Sequence, residues 1–174
     1  SQTYSSFSVK SSVKGEYTVH FINELQEKLI EINNDINCVF IIDSKIKELF
    51  KDTFDIIFSK ARFAVIDCSE TNKTVNYALE VIELLLGQNV RKNDTLIAVG
   101  GGITQDLVAF ISTILYRGIE WKFFPTTLLA QCDSCIGSKS SINFNKYKNL
   151  LGTFSAPDEI FIYHGFLNTL TESE

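Results

Sequence analysis

DTLIAVGGGITQDLVAFISTILYRGIEWKFFPTTLLAQCDSCIGSKSSINFNKYKNLLG, residues 94–152, decides the fold. Its first half is an apolar run, Leu96 to Val99, broken by the glycines Gly100, Gly101 and Gly102 and followed by helical spacing through Leu107, Phe110, Ile111 and Ile114. A strand that stops at a glycine turn and passes into a helix presents unpaired backbone N–H groups at a positive dipole end, which suits a phosphate-bearing ligand. The same triplet also suits a tight turn that lets helix and strand pack closely. The dinucleotide fingerprint G-x-G-x-x-G is incomplete, because Gln105 stands where the third glycine belongs. Downstream, Arg117, Lys139, Lys146 and Lys148 gather with Asp133 and Asn149, a set of donors for an anionic substrate.

Upstream, short apolar runs alternate with helical patterns. Phe7 to Val13 and Tyr17 to Phe21 flank Lys14-Gly15 and predict a β-hairpin. Asn23 is placed to cap a helix through Leu25, Leu29, Ile30 and Ile32. Cys38 to Ile42 is a continuous apolar run, as expected of a strand covered on both faces, and it ends in Asp43. An acid there can accept from a ribose hydroxyl or cap the next helix through Ile46 and Leu49, and both roles are compatible. Phe63 to Ile66 predicts another strand, Thr74 to Leu86 a helix through Val75, Ala78, Leu79, Ile82 and Leu85 stopped by Gly87, and Thr95 to Val99 the next strand. Trp121 to Phe124 and Glu159 to Tyr163 complete the strands, and Thr126 or Thr127 caps a helix near Leu128. The expected fold is α/β: one Rossmann-like, mostly parallel sheet flanked by helices, with an N-terminal β-hairpin, in a single domain over residues 1–174.

At 174 residues and 45% apolar composition the chain can bury a sizeable core, and 14 phenylalanines exclude a disordered one. No apolar run approaches the length of a membrane span and Ser1 to Lys10 lacks a signal-peptide core, so a cytoplasmic protein without membrane partners is expected. The net charge of −5 argues against nucleic acid. Between Arg117 and Lys148, five basic residues face only Glu120 and Asp133, a local excess of three positive charges. That distribution fits a small anionic ligand, or lysines scattered toward water.

The pattern GGGxxxDL, then YRG, then PTTLLAQxDSxIGxK, then KNxxG resembles the 3-dehydroquinate synthase family, the sugar phosphate cyclases. The resemblance implies a shikimate-pathway lyase of aromatic amino acid biosynthesis, acting on a sugar acid phosphate with NAD and a divalent metal, zinc or cobalt. In that family NAD oxidises a ring hydroxyl, phosphate leaves by elimination, the ketone is reduced back, and ring opening and an aldol closure form the carbocycle. Carried onto this sequence, Gly100, Gly101, Gly102 and Ile103 would face the NAD pyrophosphate, Asp43 its adenosine ribose, and Asp106, Thr126, Thr127 and Leu129 the nicotinamide side. Glu70 and Lys73 match a further cofactor-side spacing, although an acid at a helix start would explain Glu70 alone. Lys148 and Thr169 would also lie beside the cofactor, with Asp133 between cofactor and substrate. Lys139 and Asn149 would hold the substrate and Arg117 its phosphate, since guanidinium donates two parallel hydrogen bonds. As local alternatives, Arg117 could cap a helix end and Asp133 a turn.

The family's usual G-G-K-T reads Gly137-Ser138-Lys139-Ser140 here, which leaves a related cyclase with another substrate open. Its metal ligands, a glutamate and two histidines, belong to a second, helical domain that these residues do not include. His20 and His164 lie far apart and form no ligand cluster, so no metal site is expected within residues 1–174 and the isolated chain is expected to bind NAD without turnover. A homodimer is a candidate assembly. A non-catalytic NAD-binding module is a further reading, whereas the iron-containing alcohol dehydrogenases lack the PTTLLAQxDSxIGxK stretch. Of Cys38, Cys68, Cys132 and Cys135, the last two have C-x-x-C spacing without a second pair for zinc, and all four are expected as reduced thiols.

Overall fold

The computed structural model describes residues 5–11, 15–135, 142–144, 147–151 and 155–167. Its strands are β1 (Ser6–Ser11), β2 (Gly15–Ile22), β3 (Cys38–Asp43), β4 (Arg62–Ile66), β5 (Thr95–Gly100), β6 (Glu120–Pro125), β7 (Ile142–Phe144), β8 (Tyr147–Leu151) and β9 (Glu159–Tyr163). The α-helices are α1 (Leu25–Asp35), α2 (Ser44–Leu49), α3 (Lys51–Phe58), α4 (Val75–Gly87), α5 (Gly102–Ile114) and α6 (Leu128–Ser134). Seven strands form one sheet in the order β1-β2-β9-β6-β5-β3-β4, all parallel except the β1–β2 pair. The predicted hairpin is therefore present, and its second strand also extends the parallel sheet. β7 and β8 pair separately as an antiparallel ribbon, which the sequence reading did not foresee.

The central strands are hydrophobic at successive positions because both faces are covered. In β3 and β5, Val39, Ile41, Leu96 and Ala98 join one core, while Phe40, Ile42, Ile97 and Val99 join the other. The first core receives Ala78, Val81 and Leu85 of α4, Leu107, Val108 and Ile111 of α5, and Ala130 of α6. The second receives Leu25, Leu29 and Ile32 of α1, Ile46 of α2, and Phe54 and Ile57 of α3. Crossover chirality accounts for this sorting. β2 to β3 to β4 proceeds one way across the sheet and β4 to β5 to β6 to β9 the other, so crossovers of one hand place their helices on opposite faces. The direction reverses between β3 and β5, a switch point at which the connections leave a crevice at the strands' carboxyl ends.

Several local expectations are corrected. Asn23 does not cap α1; Glu24 occupies that position with no side-chain cap bond. Ile30 and Leu79 point outward, and Val81 takes the core position in α4. Phe110 is only partly buried and Ile114 is exposed, while Thr104, Gln105 and Ser112 of the same helix are buried. α4 is stopped by Asn89, not Gly87. Asn89 has φ 60°, its N–H donates to Leu86 and that of Val90 to Leu85, the paired bonds of a left-handed helix terminus. Among the described residues no helix is long and apolar enough to cross a membrane.

Candidate functional site

The carboxyl ends of β3 and β5 flank the switch point, and the glycine triplet turns the chain there. Gly100 ends β5, Gly101 caps α5 in extended backbone, and α5 begins at Gly102. A Cβ on Gly100 would lie 2.6 Å from the Thr104 Cβ, and one on Gly101 would lie 3.0 Å from Thr127 Cγ2. Close packing thus requires the glycine at Gly100, while at Gly101 a side chain would fit only if Thr127 gave way by a few tenths of an ångström. Gly102 differs: a Cβ there would meet nothing within 4 Å, so its methyl position opens on free space. By helical geometry the N–H groups of Gly102, Ile103 and Thr104 have no intrahelical acceptor, and α5 runs long enough to carry a dipole. This arrangement suits a diphosphate.

The neighbouring strand ends bring further polar groups to the same edge. Asp43 ends β3 and caps α2, accepting from the Lys45 N–H at 2.9 Å. After β4, a short turn over Glu70–Asn72 leads to Lys73, which is buried to 6% exposure. Its Nζ lies 2.8 Å from Asp106 Oδ2 on the second turn of α5. The structure thus joins two cofactor candidates, Lys73 and Asp106, in one ion pair. A carboxylate lowers the cost of holding that ammonium in a largely buried place.

β6 supplies the other wall. Thr126 is buried, its N–H donating to the Gly100 carbonyl at 2.9 Å, and the Thr127 hydroxyl caps α6 by accepting from the Ala130 N–H at 3.1 Å. Leu129 is 72% exposed and Asp133 is half-buried further along the same helix.

Two residues that the sequence reading passed over hold this edge together. Thr104 fills the space above Gly100 and lies 2.9 Å from Cys68 Sγ, tying the segment after β4 to α5. Burial, and next the Asp43 charge, push the Cys68 thiol up to about 12 against the effect of the Thr104 hydroxyl, so it remains a neutral partner. Gln131 donates to the carbonyls of Pro125 at 3.2 Å and Tyr163 at 3.4 Å, bridging the ends of β6 and β9. A threonine three residues after a glycine cap, and a glutamine amid apolar helix positions, were the available signals.

Arg117 is not brought to this edge. It follows α5, whose 13 residues carry the chain about 20 Å away from the glycine corner to the sheet's opposite, amino-terminal edge. There Tyr116, Arg117 and Gly118 have φ of 52°, 62° and 128°, an outward turn held by Tyr116 donating to the Val90 carbonyl at 2.8 Å. Lys148 and Asn149 belong to β8, with their side chains outside the described residues; Lys139 and Thr169 lie outside them altogether. His20 is paired with Glu159 at 2.6 Å, and among the described residues no group of three or more His, Cys, Asp or Glu is placed to hold a metal.

The family model of the 3-dehydroquinate synthase N-terminal domain matches residues 63–174. The chain belongs to this family. A 3-dehydroquinate synthase of Clostridium tetani is 36% identical over 143 residues, 80% of this chain but 38% of the relative. The chain thus spans about two-fifths of that synthase's length. The solved 2-epi-5-epi-valiolone synthase of Streptomyces hygroscopicus, with NAD+ and Zn2+ bound, superposes with a TM-score of 0.78 at 27% identity over 88% of this chain and 44% of its own. A 2-deoxy-scyllo-inosose synthase shares the fold, with a TM-score of 0.80 at 21% identity over 96% of this chain and 47% of its own. The 3-dehydroquinate synthase family match begins within β4, so β1 to β3, Asp43 included, are tied to the family's domain through the single sheet they share with the matched region.

Proposed function

We propose that these residues form the NAD-binding part of a 3-dehydroquinate synthase, a carbon–oxygen lyase that cyclises a seven-carbon keto acid phosphate with loss of phosphate. One observation carries the reading: at a single switch point the glycine corner stands beside Asp43 and the buried Lys73–Asp106 pair. A diphosphate fits against Gly100, Gly101, Gly102 and Ile103, where the space beyond Gly102 is open and the helix N–H groups converge. When bound there, the nicotinamide would supply reversible hydride transfer. This chain's share is to fix both molecules in register and to stabilise developing negative charge.

Asp43 holds the adenosine ribose and Glu70 a neighbouring cofactor position. The Lys73–Asp106 pair sets the first turns of α5, while Thr126, Thr127 and Leu129 border the nicotinamide. Asp133 orients substrate hydroxyls, Lys139 and Asn149 hold the anionic substrate, and Lys148 and Thr169 lie at the cofactor side. Arg117, at the opposite edge, reaches a substrate phosphate only when supplied by a neighbouring chain, which favours a homodimer. The described residues do not fit a divalent metal, since among them no three His, Cys, Asp or Glu side chains are grouped to hold one.

The test is turnover by the full-length enzyme, followed as phosphate release from the seven-carbon keto acid phosphate. Lys139→Ala is expected to lower kcat by about 100-fold or more, the scale of losing one charged stabiliser. Unchanged kcat would refute the role of Lys139, and no phosphate release by the unmodified enzyme would refute the substrate. A related cyclase is the second reading, favoured by Ser138 in place of the family's usual glycine and by likeness to the valiolone synthase.

A further inference from the structure

Cys132, in the last turn of α6, and Cys135, the residue that caps its end, lie on either side of Asp133, and the proposed reaction uses neither thiol. Both are free, Cys132 exposed and Cys135 half-buried against the first core. The Cys135 N–H donates to the Cys132 carbonyl at 3.1 Å, so the turn closes three residues apart and stacks these side chains one above the other. Helical rise and radius put their Cα atoms about 5 Å apart, inside the roughly 4.4–6.8 Å range that disulfides span. The opposite side of the same turn is pinned. Gln131 donates to the ends of β6 and β9, Ser134 Oγ donates to the Ala130 carbonyl at 2.7 Å, and the Tyr17 hydroxyl donates to the Ser134 carbonyl at 2.7 Å. Closing the bond still requires the Cβ atoms to approach to about 3.5–4.5 Å, and with that side pinned the adjustment falls on Cys132, Asp133 and Cys135.

We propose that Cys132 and Cys135 form a reversible dithiol–disulfide site whose oxidant is a small-molecule disulfide of the glutathione type, and that closing it displaces Asp133. The exposed Cys132 thiolate attacks the small disulfide, releasing one thiol and leaving a mixed disulfide. Cys135 gives up its proton to solvent and attacks the Cys132 sulfur; the bond to the small thiol breaks, and that thiol leaves with a proton. Two electrons pass from the protein dithiol to the small disulfide. Burial, and next the neighbouring Cys132, raise the Cys135 thiol, which works against the second step and is offset by the target sulfur being held beside it. The consequence for substrate handling rests on the role proposed for Asp133, whereas the disulfide does not.

The chain is equilibrated in buffers of varied reduced-to-oxidised glutathione ratio, quenched with an alkylating reagent, and the peptide carrying both cysteines is weighed. Expected is a peptide two hydrogens lighter and unalkylated, in a fraction that follows the ratio and reverts with dithiothreitol. Cys135→Ser is expected to trap one glutathione on Cys132. Hydrogen exchange is expected to change across Gln131–Cys135 on oxidation and to stay constant in the first turns of α5. Full alkylation of both thiols at the most oxidising ratio, or a stable glutathione adduct without closure, would overturn the site. Closure with unchanged exchange at Asp133 would overturn its displacement. Neither readout involves NAD or turnover, so this failure is distinct from failure of the synthase reading.

Discussion

Gly100→Ala introduces a methyl at a place where the structure has no room for one. The new Cβ would lie 2.6 Å from the Thr104 Cβ, and Thr104 is fully buried on α5, so it cannot swing into solvent. Overpacking of a rigid core costs about 1–3 kcal/mol, and losing the 2.9 Å Thr104–Cys68 contact adds about 1 kcal/mol. A loss of about 2–4 kcal/mol follows, a large part of the roughly 5–15 kcal/mol that holds a domain folded. For a chain of this size that lowers Tm by about 4–16 °C. Gly102→Ala is the matched control, because its methyl meets nothing and alanine restricts the unfolded chain. Its Tm is expected to stay level or rise. Thermal and urea denaturation followed by circular dichroism compare the two, and equal stability of the two variants would refute the close-packing account of the corner.

Removing the cation with Lys73→Met takes away the 2.8 Å partner of Asp106 in a largely buried place. A loss of about 1–3 kcal/mol is expected in urea denaturation, and an unchanged midpoint would show that the pair contributes nothing. At the end of α4, Asn89→Gly relieves a left-handed backbone and is expected to raise stability by up to about 1 kcal/mol, while Asn89→Val lowers it; thermal melts read both. Acid sensitivity follows from two carboxylates. Burial works to raise Asp94 and Glu159, but hydrogen bonds and charge from Arg62, and from Lys122 and His20, outweigh it and hold both below the usual range. Their stabilisation is therefore complete above the ordinary carboxylate range and is lost as pH falls through the lowered folded values. Asp94→Asn is expected to flatten the acid limb of stability against pH, measured by urea melts from neutral to strongly acid solution.

The sheet was legible because its buried strands carry continuous apolar runs, and Cys38 to Ile42 and Leu96 to Val99 could be read without knowing their neighbours. The hairpin at β1–β2 was legible from its turn, but nothing local in Tyr17 to Phe21 reveals that β2 also pairs with β9, a contact between residues about 140 apart in sequence. Helix faces were misread where polar side chains take core positions: in α5, Gln105 and Ser112 are buried while Ile114 is exposed, so apolar periodicity says little. The glycine corner and Thr127 were read correctly as backbone features. Arg117 was grouped with Lys139 by charge, and sequence proximity hid the length of α5 and the turn that carry it to the far edge.

Isothermal titration of the chain with NAD, beside Gly102→Val, tests the central claim most directly. Saturable binding at one site per chain is expected, weakened about 10-fold or more by the valine side chain in the open space at the start of α5 while the Tm without ligand is retained. Equal affinity in both proteins, or no binding to the unmodified chain, would contradict the placement of a dinucleotide at the glycine corner.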